Sequence, residues 1–212
     1  MDDEAGQPAG RRARGDTRER IQSVALELFA EHGYEKTSLR EIAERLDVTK
    51  AALYYHFKSK EDIVRSFTED YVSEVDALIA WGTARARTSE NRALLLDHYS
   101  VIVGRRLSVL RFLEQNQAAV HHLMTEGQQD RKKLFRTQFE TLRDLLAGPD
   151  APLRDRVRAS VAVVSVGISC LLFDKDASAP GELHDIVLET ACELAGVEPP
   201  VVRERLAGGA AG

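Results

Sequence analysis

The chain has 212 residues, of which 43% are hydrophobic and 30% are charged, and its formal net charge is −5. This composition is typical of a globular protein and excludes wholesale disorder, and two cysteines are too few for a disulfide framework. No apolar run reaches the roughly 18 residues of a membrane span, and the acidic first residues do not form a signal peptide. We therefore expect a cytoplasmic globular protein of one or two domains with no membrane partner.

The charge is unevenly distributed along the chain. Residues 11–60 carry 11 Lys/Arg against 8 Asp/Glu, whereas residues 61–212 carry 18 against 23. A basic N-terminal quarter on an acidic body is the asymmetry expected when one end of a protein binds a polyanion.

Apolar residues recur at three- and four-residue spacing along most of the chain, which predicts amphipathic helices. Residues 1–15 lack this spacing and contain several glycines, so we expect a mobile tail there. Helix starts are predicted at the capping residues Asp16, Ser38, Thr49 and Ser59, and left-handed stops at Gly33 and Asp47. The helices are expected at 17–32, 39–46, 50–56, 60–82, 89–106, 108–116, 117–126, 129–147, 152–174 and 182–195.

The predicted fold is all-α, with two domains and a short tail. An N-terminal three-helix helix-turn-helix domain covers 16–60, a larger helical domain covers 61–198, and a flexible tail covers 199–212. The turn of two or three residues between the second and third helices is typical of the helix-turn-helix, in which the third helix enters the major groove of DNA. Leu53 and Phe57 are expected to face the small core of this domain.

The opposite face of the third helix has the residue types that a DNA-contacting helix needs. Ala51 and Ala52 are small enough to let the helix lie deep in the groove, where their methyl groups can meet thymine methyls. Lys50 can reach a guanine edge or a phosphate. Donors to phosphate oxygens, which fix register without sequence discrimination, are offered by Tyr54, Tyr55, His56 and Lys60.

Residues 17–64 resemble the DNA-binding domain of TetR-type transcriptional regulators, above all from Val48 to Ile63 (VTKAALYYHFKSKEDI). Ala51 and Asp47 stand where that family often has glycine, so the operator sequence stays open. The positions that match the family pattern include Phe29, Gly33, Thr37, Ile42, Ala43, Tyr54 and Phe57.

The resemblance implies a homodimeric repressor that is not an enzyme. It would bind a double-stranded DNA operator with two half-sites, and its C-terminal domain would bind an unidentified small-molecule effector. The family's DNA contacts carry over as phosphate contacts at Thr37 and Ser38, base contacts at Thr49, Lys50, Ala51 and Ala52, and backbone contacts at Tyr54, Tyr55, His56 and Lys60. Arg11, Arg12 and Arg14 match no fixed family motif, and both a minor-groove arm and a solvated tail remain open for them.

Two further sets of residues are candidates for the C-terminal domain. The last two helices have apolar stripes typical of a four-helix dimer interface, with coverage of the monomer core as the alternative. The interface candidates are Val157, Val161, Val164, Ile168, Leu171, Leu183, Ile186, Val187, Thr190 and Leu194. The effector-pocket candidates, for each of which ordinary core packing is the alternative, are Phe67, Trp81, His98, Tyr99, Ile102, Phe112, His121, Met124, Phe135, Phe139 and Phe173.

Other classes of site find no support in the sequence. It has no nucleophile elbow, phosphate-binding glycine loop, dinucleotide fingerprint or zinc-protease motif. His121 and His122 are adjacent and would point about 100° apart on a helix, so they do not chelate one ion, and no metal or other cofactor is predicted. The alternative function is a helical protein-binding adaptor that no longer binds DNA.

Overall fold

The computed structural model describes residues 9–116, 128–173 and 181–200, in which every regular element is an α-helix. The predicted all-α fold is therefore confirmed for these ranges, and none of their helices is long and apolar enough to cross a membrane. The helix expected at 117–126 lies outside the described residues. The helices are α1 (Ala9–His32), α2 (Leu39–Arg45), α3 (Lys50–His56), α4 (Lys60–Thr83), α5 (Ser89–Arg105), α6 (Leu107–Gln115), α7 (Gln128–Ala147), α8 (Leu153–Phe173) and α9 (Glu182–Ala195).

Three of the predicted helix starts are fixed by side-chain caps. Ser38 and Glu41 form a reciprocal capping box, in which the Ser38 N–H donates to Glu41 Oε2 at 2.7 Å and the Glu41 N–H donates to Ser38 Oγ at 3.2 Å. The Thr49 hydroxyl accepts from the N–H of Ala52. Ser59 caps α4 in the same way. Each cap satisfies a backbone N–H that the first turn of a helix leaves without a partner.

Helix α1 begins at Ala9, well before the start predicted at Asp16. The predicted mobile tail over 1–15 is therefore wrong for residues 9–15, whose backbone is helical. The prediction failed because apolar spacing detects only helices that bury one face. The segment Ala9–Arg14 is instead rich in alanine and arginine, which favour the helix by intrinsic propensity.

The chain divides into two compact units. The first comprises Met1–Asp70 and Ser108–Gly127, and the second comprises Tyr71–Leu107 and Gln128–Gly212. The division falls inside α4 and assigns nearly all of α6 to the first unit, which differs from the boundary at residues 60 and 61 expected from the sequence. A sequence pattern locates the ends of helices, whereas the units are defined by which core each helix fills.

Aromatic side chains fill the core of the first unit. The ring of Phe29 in α1 lies 5.0 Å from that of Phe112 in α6 and 5.1 Å from that of Tyr34, measured between centroids. Phe57 and Phe67 are buried in the same cluster. These contacts explain why α6 joins the helix-turn-helix unit although about fifty residues separate them in sequence.

A buried polar contact joins α1 to α4 in the first unit. The Gln22 amide donates from Nε2 to Ser66 Oγ at 2.6 Å and to Asp70 Oδ2 at 2.5 Å. Ser66 in turn donates to the carbonyl of Ile63. Burying a polar group without a hydrogen-bond partner costs free energy of folding. These bonds therefore favour one rotational orientation of α1 about its own axis as it packs against α4.

The core of the second unit is formed by the rest of α4 together with α5, α7, α8 and α9.

Two arginines cap the C-terminal end of helix α9. Arg92 donates to the carbonyl of Ala195 at 2.8 Å, and Arg158 donates to those of Leu194 and Glu193. Positive side chains at a helix C-terminus satisfy its last carbonyls and interact favourably with the negative end of the helix dipole.

Cys192 of α9 is fully buried, and this burial determines its reactivity. Desolvation, reinforced by Asp97, raises the pKa of the Cys192 thiol to about 11. Because the thiolate is the reactive species, we expect Cys192 of a folded Cys170→Ser variant to react with iodoacetamide at pH 8 at least about 100-fold more slowly than a free cysteine. Mass spectrometry of timed samples measures the rate, and the same variant in urea is the control. Equal rates in the folded and unfolded protein would contradict the burial.

Candidate nucleic-acid interface

The turn between α2 and α3 has the backbone geometry that the sequence predicts. Asp47 adopts a positive φ of 54°, a left-handed conformation that aspartate tolerates better than most residues. The N–H of Val48 donates to the carbonyl of Ala43 at 3.0 Å, and that of Leu46 donates to the carbonyl of Ile42 at 3.1 Å. These bonds hold the end of α2 against the start of α3 in a helix-turn-helix.

The inner side of α3 is anchored by two fully buried side chains. Leu53 and Phe57 are 0% and 1% exposed, as the sequence predicts for residues facing the core. The guanidinium carbon of Arg18 lies 4.8 Å from the centroid of the Phe57 ring, on the α1 side of the core. With these contacts made, only the opposite side of α3 is available to a partner.

The available side of α3 combines small residues with one cation. Lys50, Ala51 and Ala52 are all exposed at the start of the helix, as is Thr49 before it. Because Ala51 and Ala52 have small side chains, a helix of this kind can come close to the floor of a DNA major groove. The Lys50 ammonium adds a hydrogen-bond donor beside them.

Aromatic side chains lie next to this cation. Lys50 Nζ is 5.4 Å from the centroid of the Tyr54 ring, one turn along α3. Tyr55 is 60% exposed, and its ring packs edge-on against that of His56 with 5.3 Å between centroids. The exposed side of α3 therefore presents donors and an aromatic surface along its whole length.

Lys58, which was not among the predicted contacts, closes the C-terminal end of α3. Its ammonium donates to the carbonyl of Tyr54 at 2.7 Å, while its backbone N–H donates to Asp62 Oδ2 at 3.0 Å. Lys58 is exposed and places a positive charge at the negative end of the helix dipole. A lysine two residues past the last helical residue was the available signal, because cations favour this position.

The predicted phosphate contacts by the hydroxyls of Thr37 and Ser38 are not supported. The Thr37 side chain is 2% exposed, and its hydroxyl lies 2.9 Å from the carbonyl of Gly33 and 3.2 Å from that of Leu28. The Ser38 hydroxyl donates to Glu41 within the capping box. Both residues fix the start of α2, and their hydroxyl donors are already used there.

Lys60, predicted to contact the DNA backbone, makes contacts within the first unit. Its ammonium donates to the carbonyl of Tyr34 at 2.7 Å, lies 3.4 Å from that of Glu35, and sits 4.5 Å from the centroid of the Tyr34 ring. The Tyr34 hydroxyl donates to Glu61 at 3.1 Å, and burial together with Glu61 raises the pKa of Tyr34, so it remains a donor. Lys60 thus ties the start of α4 to the turn after α1.

The effector-pocket candidates are divided between the two units. Phe67 and Phe112 are buried in the core of the first unit, as described above. The ring of Trp81 lies 5.0 Å from that of the exposed His98. In the second unit, Tyr99 and Ile102 are buried, Phe139 packs against the core, and Phe135 and Phe173 are exposed, while His121 and Met124 lie outside the described residues.

The interface candidates are divided between solvent and core. Val157, Val161, Val164 and Ile168 are exposed on α8, as is Ile186 on α9. Val187 is only 3% exposed in the core of the second unit, so assigning it to an interface was wrong. Leu183 and Leu194 pack partly against that core, Thr190 is exposed, and the side chain of Leu171 lies outside the description. Leu172, which the sequence analysis did not single out, is exposed and extends the α8 set.

Two helices closed by a tight turn, with an anchored inner side and a cationic, small-residue outer side, define a helix-turn-helix, a motif that DNA-binding proteins use to place one helix in the major groove. Residues 21–67 match the family described as bacterial regulatory proteins, tetR family. Over these residues the chain is therefore similar to a family of bacterial transcriptional regulators.

Relatives with curated names agree with this assignment. The chain is 34% identical over 120 residues to the HTH-type transcriptional regulator AcrR of Shigella flexneri, covering 57% of this chain and 46% of AcrR. It is 29% identical over 129 residues to the HTH-type transcriptional repressor KstR2 of Rhodococcus jostii, covering 59% of this chain and 60% of KstR2. The matches therefore span only about half of the length of these relatives.

Solved structures extend the likeness to most of the fold. The chain matches the TetR family regulator PfmR of Thermus thermophilus with a TM-score of 0.63 and 21% identity, over 84% of this chain and 98% of PfmR. It also matches a TetR/AcrR family regulator from Thermobifida fusca with a TM-score of 0.55 and 25% identity, over 89% of this chain and all of the other.

In the described ranges, no group of three or more His, Cys, Asp or Glu side chains lies close enough together to hold a metal ion.

Tyr55 and Lys60 should respond differently to truncation. We expect Tyr55→Ala to change the free energy of unfolding by less than about 0.5 kcal/mol, because the side chain is exposed. Lys60→Met should lower it by about 1–2 kcal/mol, because two backbone carbonyls lose a charged donor. Urea denaturation followed by circular dichroism measures both. If the Lys60→Met variant is as stable as the unmodified chain, the bonds from Lys60 to the backbone carbonyls do not stabilise the fold, and Lys60 is again a candidate for binding phosphate.

Proposed function

We propose that the chain is an effector-responsive repressor that binds an inverted-repeat operator as a homodimer. The observation that carries the DNA-binding part is the outer side of α3, where Lys50 stands beside Ala51 and Ala52 on a helix whose inner side is fully anchored. The major groove is about 12 Å wide and admits one α-helix, which these small side chains allow to approach the bases.

The residues around α3 divide into two roles in this proposal. Thr49, Lys50, Ala51 and Ala52 contact base edges and thymine methyls at the N-terminal end of the helix. Tyr54, Tyr55, His56 and the newly recognised Lys58 contact phosphates and fix the register. Thr37 and Ser38 fix the start of α2 and Lys60 fixes that of α4, so in this proposal their side-chain donors serve those contacts and not DNA.

DNA binding is tested by selecting duplexes from a random library with the purified chain. We expect an inverted repeat bound with a Kd of about 10⁻⁸ M or tighter at physiological salt, and an affinity that falls steeply as salt rises. Lys50→Ala should weaken binding by about 1–3 kcal/mol, since a base contact is lost. Lys133→Ala, which removes an exposed lysine of α7 in the second unit, is the matched control and should bind normally.

The selection also separates the proposal from its alternative. If neither the chain alone nor the chain with pooled metabolites enriches any duplex, the adaptor function is favoured instead. If metabolites change the affinity for the selected duplex in either direction, the effector part of the proposal is supported. An affinity unchanged by every pool would limit the proposal to constitutive DNA binding.

The homodimer is supported by an apolar stripe on α8. Leu153, Val157, Val161, Val164, Ile168 and Leu172 follow one another at three- or four-residue spacing, and each is 45–75% exposed. A contiguous row of large apolar side chains on a helix surface is typical of an interaction site. A second copy of the chain is the natural occupant because two half-sites, roughly 34–36 Å apart, need two recognition helices.

Charge placed in this stripe should separate the subunits. We expect Val164→Glu to convert the dimer to a monomer at micromolar concentration and to weaken operator binding, because a carboxylate would be buried without a partner. The position is exposed in the isolated chain, so folding should be retained. Leu134→Glu, at an exposed leucine of α7, is the control and should stay dimeric. Sedimentation velocity measures both, and an unchanged dimer in Val164→Glu would assign the interface to another surface.

The effector site is proposed in the second unit alone. Phe67 and Phe112 are set aside because they pack the first core. The remaining candidates are Trp81, His98, Tyr99, Ile102, Phe135, Phe139 and Phe173. Aromatic groups with one imidazole suit a flat, mostly apolar molecule with a polar end. Helix α4 carries residues of both units, so an effector that tilts it would couple the two sites, with a coupling free energy on the order of 1–3 kcal/mol.

A further inference from the structure

A buried glutamine lies where α7 passes from the surface into the core of the second unit. Residues 132–137 of α7 are all exposed, whereas Gln138 is 4% exposed and is followed on the same face by the buried Leu142 and Leu146. Phe135, one turn before Gln138, is 37% exposed. The Gln138 amide is therefore enclosed although it is only one helical turn from the surface.

The two polar atoms of this amide have different surroundings. Gln138 Nε2 donates to the carbonyl of Val72 at 3.1 Å and to Asp76 Oδ1 at 2.8 Å, one turn apart on α4. Gln138 Oε1 is fully buried, and no donor among the described residues reaches it. Both partners of Nε2 are acceptors, so turning the amide over would place Oε1 against two other acceptors. The atom without a partner is therefore the carbonyl oxygen.

The surroundings of Gln138 Oε1 favour an organic donor over a water molecule. A buried carbonyl without a donor costs free energy of folding, so native proteins supply such an atom with ordered water or a ligand. A buried water makes about three hydrogen bonds and so needs several polar neighbours. The α7 residues that flank Gln138 on its own face, Phe135 and Leu142, offer none. An apolar molecule with one donor group needs only the single bond to Oε1.

Aromatic rings lie next to this amide on α4 and α7. The ring of Tyr71, the residue before Val72, lies 5.9 Å from that of Phe135, measured between centroids. The Tyr71 hydroxyl is 3.4 Å from that of Tyr99 in α5. Tyr71 is half-buried and Phe135 is exposed, so the two rings form an aromatic edge between the surface and the Gln138 amide. A planar aromatic molecule can stack against such an edge.

We propose that the effector is a neutral aromatic molecule that donates a hydrogen bond, through a hydroxyl or an N–H group, to Gln138 Oε1. This inference rests on the proposed effector site in the second unit and names the class of molecule that the site takes. An anion is excluded because it would face the negative end of the carbonyl dipole and lie within one amide group of the Asp76 carboxylate. Gln138 would thus determine which polar group the effector carries.

The test compares three probes that share one ring system. Naphthol carries a donor, methoxynaphthalene has a methyl group in place of the donor proton, and naphthoate is an anion. Isothermal titration calorimetry on the full unmodified chain at neutral pH measures the Kd of each probe. We expect naphthol to bind at least about 10-fold more tightly than either of the others, because it alone satisfies the buried carbonyl without adding a negative charge.

A matched pair of variants tests whether Gln138 causes this preference. Gln138→Met removes the carbonyl and keeps a side chain of similar length, so naphthol and methoxynaphthalene should then bind within about 2-fold of each other. Gln129→Met changes an exposed glutamine of the same helix and should keep the full preference. Circular dichroism checks that both variants fold. The comparison of probes on the unmodified chain needs no variant, so it decides the inference even if Gln138→Met does not fold.

Several outcomes would overturn the inference. Equal binding of naphthol and methoxynaphthalene to the unmodified chain, or tighter binding of naphthoate, would assign the effector to another class. A preference for naphthol that persists in Gln138→Met would arise from steric exclusion of the methyl group or from another acceptor. Binding by none of the three probes would mean that water alone satisfies Oε1.

These failures are distinguishable from a failure of the proposed function. Selection of duplexes tests DNA binding without any probe, and the pooled metabolites test the effector response without reference to Gln138. If a pool changes the affinity for the selected duplex while the probes give one of the contrary results, the effector response stands and only the class of molecule is wrong. If no pool changes that affinity and no probe binds, the effector part of the proposed function fails together with this inference.

Discussion

Helix α3 has only seven residues, and a helix of that length is not stable in water by itself. Its stability comes from the burial of Leu53 and Phe57, with Thr49 satisfying its first turn and Lys58 its last. The core that receives these two side chains is closed by α1, α4 and α6. The orientation of the groove-facing residues therefore depends on apolar packing on the far side of the same helix.

Features that depend on neighbouring residues in sequence were predictable. The capping box of Ser38 and Glu41, the cap at Thr49 and the left-handed turn at Asp47 each need only a few adjacent positions, and all three are present. The inward direction of Leu53 followed from helical periodicity for the same reason. The start of α1 was not predictable because residues 9–15 are helical although their sequence has no apolar residues at helical spacing.

Features that depend on distant residues were not predictable from one sequence. The Lys60 ammonium binds a carbonyl 26 residues away, and the Thr37 hydroxyl is taken by one nine residues away, so neither is available as its residue type implies. On α8, Val163 and Val166 are buried whereas Val161 and Val164 are exposed. A helix that is apolar on both sides does not reveal which side faces its own core. The packing of α5, α7 and α9 against α8 decides it.

The position of the single tryptophan determines what optical methods can record about this molecule. Trp81 is the only one in the chain and lies in the second unit, between the guanidinium of Arg85 at 4.4 Å and the ring of His98. Its emission is therefore a local signal of α4 and α5, whereas the ellipticity of helices comes from both units. A denaturation series recorded with both probes compares the second unit with the whole chain, and coincident curves would establish that the two units unfold as one cooperative body.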